Sequence, residues 1–303
     1  MSACETHRLK VLATRRYPGR AFDELRDVEI APLAEAPDDV EALIVANEAV
    51  PLDRFPALRL VANFGVGYDR IDVAACAARG VAVTNTPGVL DAATADLAFA
   101  LILAVRRRIV EGDDVVRARG WRGSWAEGFL GREVSGSTLG IIGLGRIGSA
   151  VARRAHGFDM RVLYTRRTDA ESELGERRDL DDLLAEADVV TIHVPRTNQT
   201  EGLLDAQRLA RLRDGAALVN TARGEIVDEQ ALVRELVSGR ISAGIDVFAH
   251  EPDVPAPLLG LGNVVLTPHI GSATIETRAA MTRVVVDNIV AAERGEPLLT
   301  AVT

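Results

Sequence analysis

The chain has 303 residues, 48% of them hydrophobic and 26% charged, and carries a formal net charge of −9. That length exceeds one ordinary core, so two domains are expected, and the acidic balance excludes general nucleic-acid affinity, which needs clustered Lys and Arg. No stretch approaches the roughly 18 to 20 uncharged apolar residues of a membrane span, and the N-terminus does not read as a signal peptide, so a soluble cytoplasmic protein is expected.

Through the first 85 residues, short apolar runs alternate with helix-like segments. Val11-Leu12-Ala13, Ala42 to Val45, Leu60-Val61-Ala62 and Val81-Ala82-Val83 read as strands buried on both faces of a parallel sheet. Asp72 caps an Ala-rich helix that stops at Gly80. Cys76 within it reads as a small buried side chain. Cys4 is far away and shares no ligand spacing with it, so neither a disulfide framework nor a metal site is expected. After the Thr86-Pro87-Gly88 turn, a helix runs from about Asp91 to Arg107, and the run Arg106-Arg107-Arg108 reads as its solvated C-terminal turn.

A second strand and helix alternation starts near Thr138. Strands read at Leu139 to Ile142, Arg161 to Thr165, Asp188 to Val194, Ala216 to Thr221, Ala243 to Val247 and Val264 to Thr267. Helices between them imply a second parallel sheet covered on both faces, and a final helix spans about Ile275 to Glu293. The fold class is therefore α/β, with two Rossmann-like parallel-sheet domains.

Gly143-Leu144-Gly145-Arg146-Ile147-Gly148 follows a strand and opens a helix, which is the context a dinucleotide fingerprint requires. The first glycine makes the turn, the second admits the pyrophosphate and the third packs helix on strand. About twenty residues on, where an acid would bind the adenosine ribose, stand Thr165, Arg166 and Arg167. A hydroxyl and two guanidiniums suit a 2′-phosphate, so NADP(H) is expected over NAD(H), with NAD(H) still possible; the alternative has surface arginines and Asp169 on the ribose.

Three strand ends carry further chemistry. Asn220 to Gly224 presents Arg223, suited to a substrate carboxylate and its carbonyl. Asp246 to Phe248 leads to His250-Glu251-Pro252, and Thr267-Pro268 leads to His269. A histidine beside a carboxylate is a workable general acid, because the anion favours imidazolium and fixes the ring. His269 is the best placed of the five histidines: His7 and His156 read as inert, His193 as part of the cofactor-side wall, and His250 as solvated. In the first domain Asn63 to Asp69 forms a glycine turn whose Val66 and Gly67 N–H groups could hold a carboxylate.

These motifs, in this order and together with Thr84 to Gly88, His193-Val194-Pro195 and Pro268 to Ser272, resemble the D-isomer-specific 2-hydroxyacid dehydrogenases, within them the glyoxylate/hydroxypyruvate reductases. The resemblance spans nearly the whole chain. It implies Arg223 as the substrate-orienting residue, His269 as proton donor and Glu251 as its partner, with Val66 and Gly67 donating to the substrate carboxylate and Asp246 binding the nicotinamide carboxamide. The cofactor set is then Gly143, Gly145, Arg146, Ile147, Gly148, Thr165, Arg166, Arg167, Val194, Pro195, Thr200, Thr221, Asp246 and Ser272. The cofactor domain, 91–273, would be inserted into a flavodoxin-like substrate domain of 1–90 plus 274–303. A homodimer joined through the cofactor domains is implied, with the segment from Arg119 through Trp121 to Trp125 reaching the partner's pocket. The implied reaction is reduction of a small 2-keto acid to the D-2-hydroxy acid without a metal. A dinucleotide-sensing corepressor and a phosphoglycerate dehydrogenase are the competing family functions.

Overall fold

The computed structural model describes residues 8–123, 129–168 and 171–302. Cys4, His7, Trp125 and Asp169 lie outside the described residues. The chain divides into a first unit, residues 1–90 with 272–303, and a second, continuous unit, 91–271, so Ser272 groups with the first.

The first unit contains β1 (Val11–Ala13), β2 (Glu29–Ile30), β3 (Ala42–Val45), β4 (Leu60–Asn63), α1 (Val73–Ala78) and β5 (Ala82–Thr84). Its parallel sheet has the order β2-β1-β3-β4-β5, that of flavodoxin-like folds. β1, β3 and β4 are buried along their whole length, as apolar runs without alternation demand. Asp72 accepts a hydrogen bond from the Ala75 N–H at 2.9 Å and so starts α1, and Cys76 is buried beneath it.

The second unit opens with α2 (Asp91–Arg106) and α3 (Ile109–Arg117). There follow β6 (Thr138–Ile142), α4 (Arg146–His156), β7 (Arg161–Thr165), β8 (Glu176–Arg177), α5 (Leu180–Glu186), β9 (Val189–Ile192), α6 (Ala206–Leu209), β10 (Ala217–Asn220), α7 (Glu229–Val237), β11 (Ser242–Ile245) and β12 (Val264–Leu266). Among the described residues the sheet has seven parallel strands in the order β12-β11-β10-β9-β6-β7-β8. This is the doubly wound Rossmann arrangement, in which strand order reverses at β6 and a ligand crevice lies at the carboxyl ends there. Side-chain alternation divides the core between the two faces. Leu139, Ile141, Val162 and Tyr164 join the layer containing α2 and α4, whereas Ile142, Leu163 and Leu218 join that of α5 and α7. Finally α8 (Ile275–Glu293), capped by Thr274 on the Thr277 N–H, returns to the first unit and packs on β4.

The arginine run at the end of α2 departs from the expected solvated turn. Arg106 is only 8% exposed, and its guanidinium donates to the Glu133 carbonyl at 2.7 Å and the Gly215 carbonyl at 3.4 Å. Arg108 takes a left-handed backbone (φ 51°) that breaks α2 from α3, and its Nε and Nη2 bond both oxygens of Glu111 at 2.8 and 2.6 Å. Of the three, only Arg107 is exposed to solvent; Arg106 is taken up by carbonyls of distant loops and Arg108 by the first turn of α3.

Candidate active site

Because every strand of the second sheet runs in parallel, the segments after β6, β7, β9, β10, β11 and β12 emerge at one edge. Immediately after β6, Gly143 has φ +98°, and a Cβ there would lie 2.6 Å from Val194 Cγ1. A Cβ at Gly148 would lie 2.1 Å from the Gly143 carbonyl oxygen, so the turn and α4 fit only without one. At Gly145 no heavy atom stands within 4 Å of that position. The open second position and the free N–H groups that begin α4 form a cradle for an anion. Arg146 is exposed and lies 3.7 Å from Asp91, while Ile147 is half-buried beside it.

β7 ends alongside: the Thr165 carbonyl accepts from the Gly143 N–H at 3.0 Å, which brings Thr165, half-buried Arg166 and exposed Arg167 to the flank of the glycine turn. On the other flank, His193 and Val194 abut Gly143. Burial drives the His193 pKa down to about 3, so this imidazole is neutral at working pH, with Nε2 2.9 Å from Thr191 Oγ1. The loop that follows is braced by Thr200, whose hydroxyl donates to the Pro195 carbonyl at 2.6 Å.

Beyond β10, Thr221 is buried with an Oγ1 that has no hydrogen-bond partner among the described residues. An orphaned hydroxyl at the ligand edge of the sheet fits a group that arrives with the cofactor. Arg223 has extended backbone, its carbonyl accepts from Asn220 Nδ2 at 2.8 Å, and its Nη1 donates to the Ala222 carbonyl at 2.7 Å. Gly224 makes the next contact possible. A Cβ there would lie 2.1 Å from the Phe248 carbonyl carbon, so glycine lets this loop rest on the Phe248-Ala249 backbone just before Glu251.

The end of β11 supplies the scaffold for the end of β12. Asp246 is fully buried; its Oδ1 accepts from Thr267 Oγ1 at 2.7 Å and the Ile270 N–H at 2.8 Å, and its Oδ2 from the Gly271 N–H at 2.9 Å. Burial lifts its pKa above the ordinary carboxylate value, against the pull of these donors and of the His269 charge. The Asp246 carbonyl also accepts from the His269 N–H at 2.9 Å. Both ends of this buried residue therefore hold the loop on which His269 sits. That loop is strained: His269 has φ +52°, a left-handed conformation that costs a non-glycine residue roughly 1–3 kcal/mol and persists only where surroundings enforce it.

The strain aims the ring. His269 Nδ1–H donates to Glu251 Oε2 at 2.8 Å, while Glu251 Oε1 accepts from the Phe248 N–H at 3.1 Å. Burial alone would raise the Glu251 carboxyl, but the hydrogen bond and charge of His269, the Phe248 N–H and the charge of Arg223 together hold it below its ordinary value. Glu251 is thus a carboxylate at neutral pH, aligned with a half-exposed imidazole and within electrostatic reach of a guanidinium. His250 is exposed, and His156 Nε2 lies 3.1 Å from the Leu174 carbonyl at the end of α4, away from this group.

In the first unit, considered by itself, the loop after β4 is held through its carbonyls. Asn63 Nδ2 donates to the Gly65 and Gly67 carbonyls at 3.0 and 2.9 Å, and Asn85 Nδ2 to the Val66 carbonyl at 3.0 Å. Peptides whose oxygens are tied inward turn their N–H groups the other way, which is the form of an anion nest at Val66 and Gly67. Asn47 is a support the sequence reading missed. At φ +54° its N–H donates to Asn63 Oδ1 at 2.8 Å and its Nδ2 to Asp69 Oδ1 at 3.3 Å. Its one available signal is that asparagine tolerates the left-handed region.

Comparison with known proteins places this arrangement. Residues 99–271 match the family model of the D-isomer specific 2-hydroxyacid dehydrogenase, NAD binding domain. The chain is 48% identical over 288 residues to a glyoxylate reductase of Pyrococcus furiosus, covering 91% of this chain and 86% of that protein. It is 46% identical over 310 residues to a glyoxylate reductase of Korarchaeum cryptofilum, covering 95% and 93%. Among solved structures, an NADPH-dependent glyoxylate/hydroxypyruvate reductase of Sinorhizobium meliloti, in complex with NADP and malonate, superposes with a TM-score of 0.90 at 37% identity, covering 98% of this chain and 97% of that one. A protein of Thermus thermophilus gives a TM-score of 0.91 at 43% identity, covering 97% and 99%. With a family model spanning more than half its length and relatives matched almost end to end, the chain belongs to the D-isomer specific 2-hydroxyacid dehydrogenases.

Proposed function

We propose that this chain reduces a small 2-keto acid, glyoxylate to achiral glycolate or hydroxypyruvate to the D-2-hydroxy acid, with NADPH preferred to NADH. The observation that carries the reading is the 2.8 Å bond between His269 and Glu251 at the sheet edge that also bears the glycine cradle and Arg223. A nicotinamide dinucleotide, when bound, supplies the hydride. Gly143, Gly145 and Gly148, with the start of α4 at Arg146 and Ile147, would hold its pyrophosphate; Val194, Pro195, Thr200, Thr221, Asp246 and Ser272 complete the set assigned to it. Arg223 would orient the keto acid through its carboxylate and offset charge on the carbonyl oxygen as it develops. With Nδ1–H committed to Glu251, His269 gives the proton on Nε2 to that oxygen. Val66 and Gly67 would donate N–H groups to the substrate carboxylate.

The phosphate preference rests on Thr165, Arg166 and Arg167, which stand where an acid would bind a ribose diol. Self-association rests on Ile109, Val110, Val116 and Trp121, all exposed apolar residues of α3 and the stretch after it. Among the described residues no helix is long and apolar enough to cross a membrane.

The test is a panel of glyoxylate, hydroxypyruvate, pyruvate and 2-ketogluconate with both cofactors. Glyoxylate or hydroxypyruvate with NADPH is expected to give the highest kcat/KM. Arg166→Gln or Arg167→Gln should weaken NADPH binding by about tenfold to a hundredfold, the worth of one charged hydrogen bond, while NADH binding barely changes. A higher kcat/KM with NADH in the wild type would reverse the cofactor assignment. No turnover of any of the four acids would refute the activity.

A further inference from the structure

At the amino-terminal edge of the seven-stranded sheet, away from the ends that carry Arg223 and His269, a cleft of about 350 Å³ opens between the end of α2, residues 130–132 and the turns leading into β10, β11 and β12. Three arginines line it, with one acid. The acid is already matched, since both oxygens of Glu111 are taken by Arg108. Arg106 is different. Among the described residues its hydrogen bonds go to neutral carbonyls, and its buried Nε has no partner. Arg132 is exposed and makes no side-chain hydrogen bond or ion pair among the described residues. Its guanidinium lies over Gly215, where a Cβ would stand 2.2 Å from Nη2.

Among the described residues, two guanidiniums therefore share one cleft without a carboxylate bonded to either. Burial, and to a smaller degree the like charge of Arg132, push the Arg106 pKa below its ordinary value against the attraction of Asp188. Asp188 is itself bonded to Arg213 at 2.9 Å. A buried cation held next to a second cation is costly, and an incoming anion removes that cost for both. The rest of the lining is mixed: Leu130 is exposed, Val105 and Ile241 are buried, Ser242 and Asn263 are half-buried and polar, and the volume exceeds what a bare oxyanion needs.

We propose that this cleft binds a small phosphomonoester, its phosphate on Arg132 with the fixed charge of Arg106 behind it and the rest of the molecule against Leu130 and Ser242. Arginine suits phosphate through paired, charge-assisted hydrogen bonds. The experiment is calorimetric titration of glycerol phosphate and of inorganic phosphate into the protein saturated with NADPH, so that the cofactor's own phosphate sites are filled. Wild type is expected to bind glycerol phosphate saturably and more tightly than inorganic phosphate. Arg132→Gln, at an exposed position, should keep its fold and its kcat and KM for keto acid, yet weaken glycerol phosphate by about tenfold or more. Arg166→Gln should leave that affinity unchanged. Equal binding by wild type and Arg132→Gln, or no saturable binding, would overturn the proposal. Tighter binding of inorganic phosphate than of glycerol phosphate would overturn the phosphomonoester assignment. Dissociation of Arg132→Gln into smaller species in sedimentation would also overturn it, by showing that Arg132 meets a second copy of the chain.

Discussion

His269→Ala is expected to lower kcat for keto-acid reduction by at least about a hundredfold, the usual contribution of a positioned general acid, while leaving cofactor affinity nearly unchanged. The ring is 47% exposed and its bond is to Glu251, so its removal takes no buried packing with it. Alanine keeps the Cβ and so the backbone strain at φ +52°, and Asp246 still holds the Ile270 and Gly271 N–H groups. The melting temperature should therefore hold or fall slightly, as Glu251 loses one partner. The check is steady-state kinetics beside a fluorescence titration of NADPH. A kcat within a few-fold of wild type would remove His269 from the proton transfer.

Arg223→Lys should lower kcat/KM substantially, by about tenfold to a hundredfold if one charged hydrogen bond in the transition state is lost. Lysine keeps the charge but not the planar fork that can hold a carboxylate and a carbonyl together. The local fold should survive, since the contacts that place this loop are made by Asn220 and Gly224 and by the Arg223 carbonyl rather than by the guanidinium tip. Lowered kcat/KM at an unchanged melting temperature is the expected result. An active, normally folded Arg223→Ala protein would show that the residue serves only as a surface ion-pair partner.

Much of this site could be read from residue order because its chemistry is local. Gly143 and Gly148 are dictated by contacts with the neighbouring strand end and with the turn itself, Gly145 leaves open space, and α8 begins at its Thr274 cap and closes before Gly295 as written in the sequence. β2 and β8 were not readable. Each is a two-residue, exposed edge strand, and Glu29-Ile30 and Glu176-Arg177 offer no apolar run to mark them. Long-range polar bookkeeping was also hidden. Nothing near Asp246 in sequence shows that its carboxylate accepts from N–H groups 24 and 25 residues later, or that Arg106 leaves solvent for the Gly215 carbonyl 109 residues on. The left-handed backbone at Asn47, Arg108 and His269 belongs to the same class, because tertiary hydrogen bonds rather than residue type impose it.

The measurement that bears most directly on His269 and Glu251 as one acid unit is the pH profile of kcat/KM, in both reaction directions, for wild type and Glu251→Gln. The hydrogen bond and charge of His269, with the Phe248 N–H and the charge of Arg223, hold the Glu251 carboxyl below its ordinary value against the effect of burial. Glu251 stays ionised, and the pairing intact, until pH falls below the ordinary carboxylate range. In wild type, reduction should decline as pH rises and the imidazolium is lost, and oxidation should decline as pH falls and it forms. Glu251→Gln keeps the shape and a hydrogen-bonding oxygen but not the charge, so both limbs should move to lower pH. Superimposable profiles in the two proteins would contradict the account.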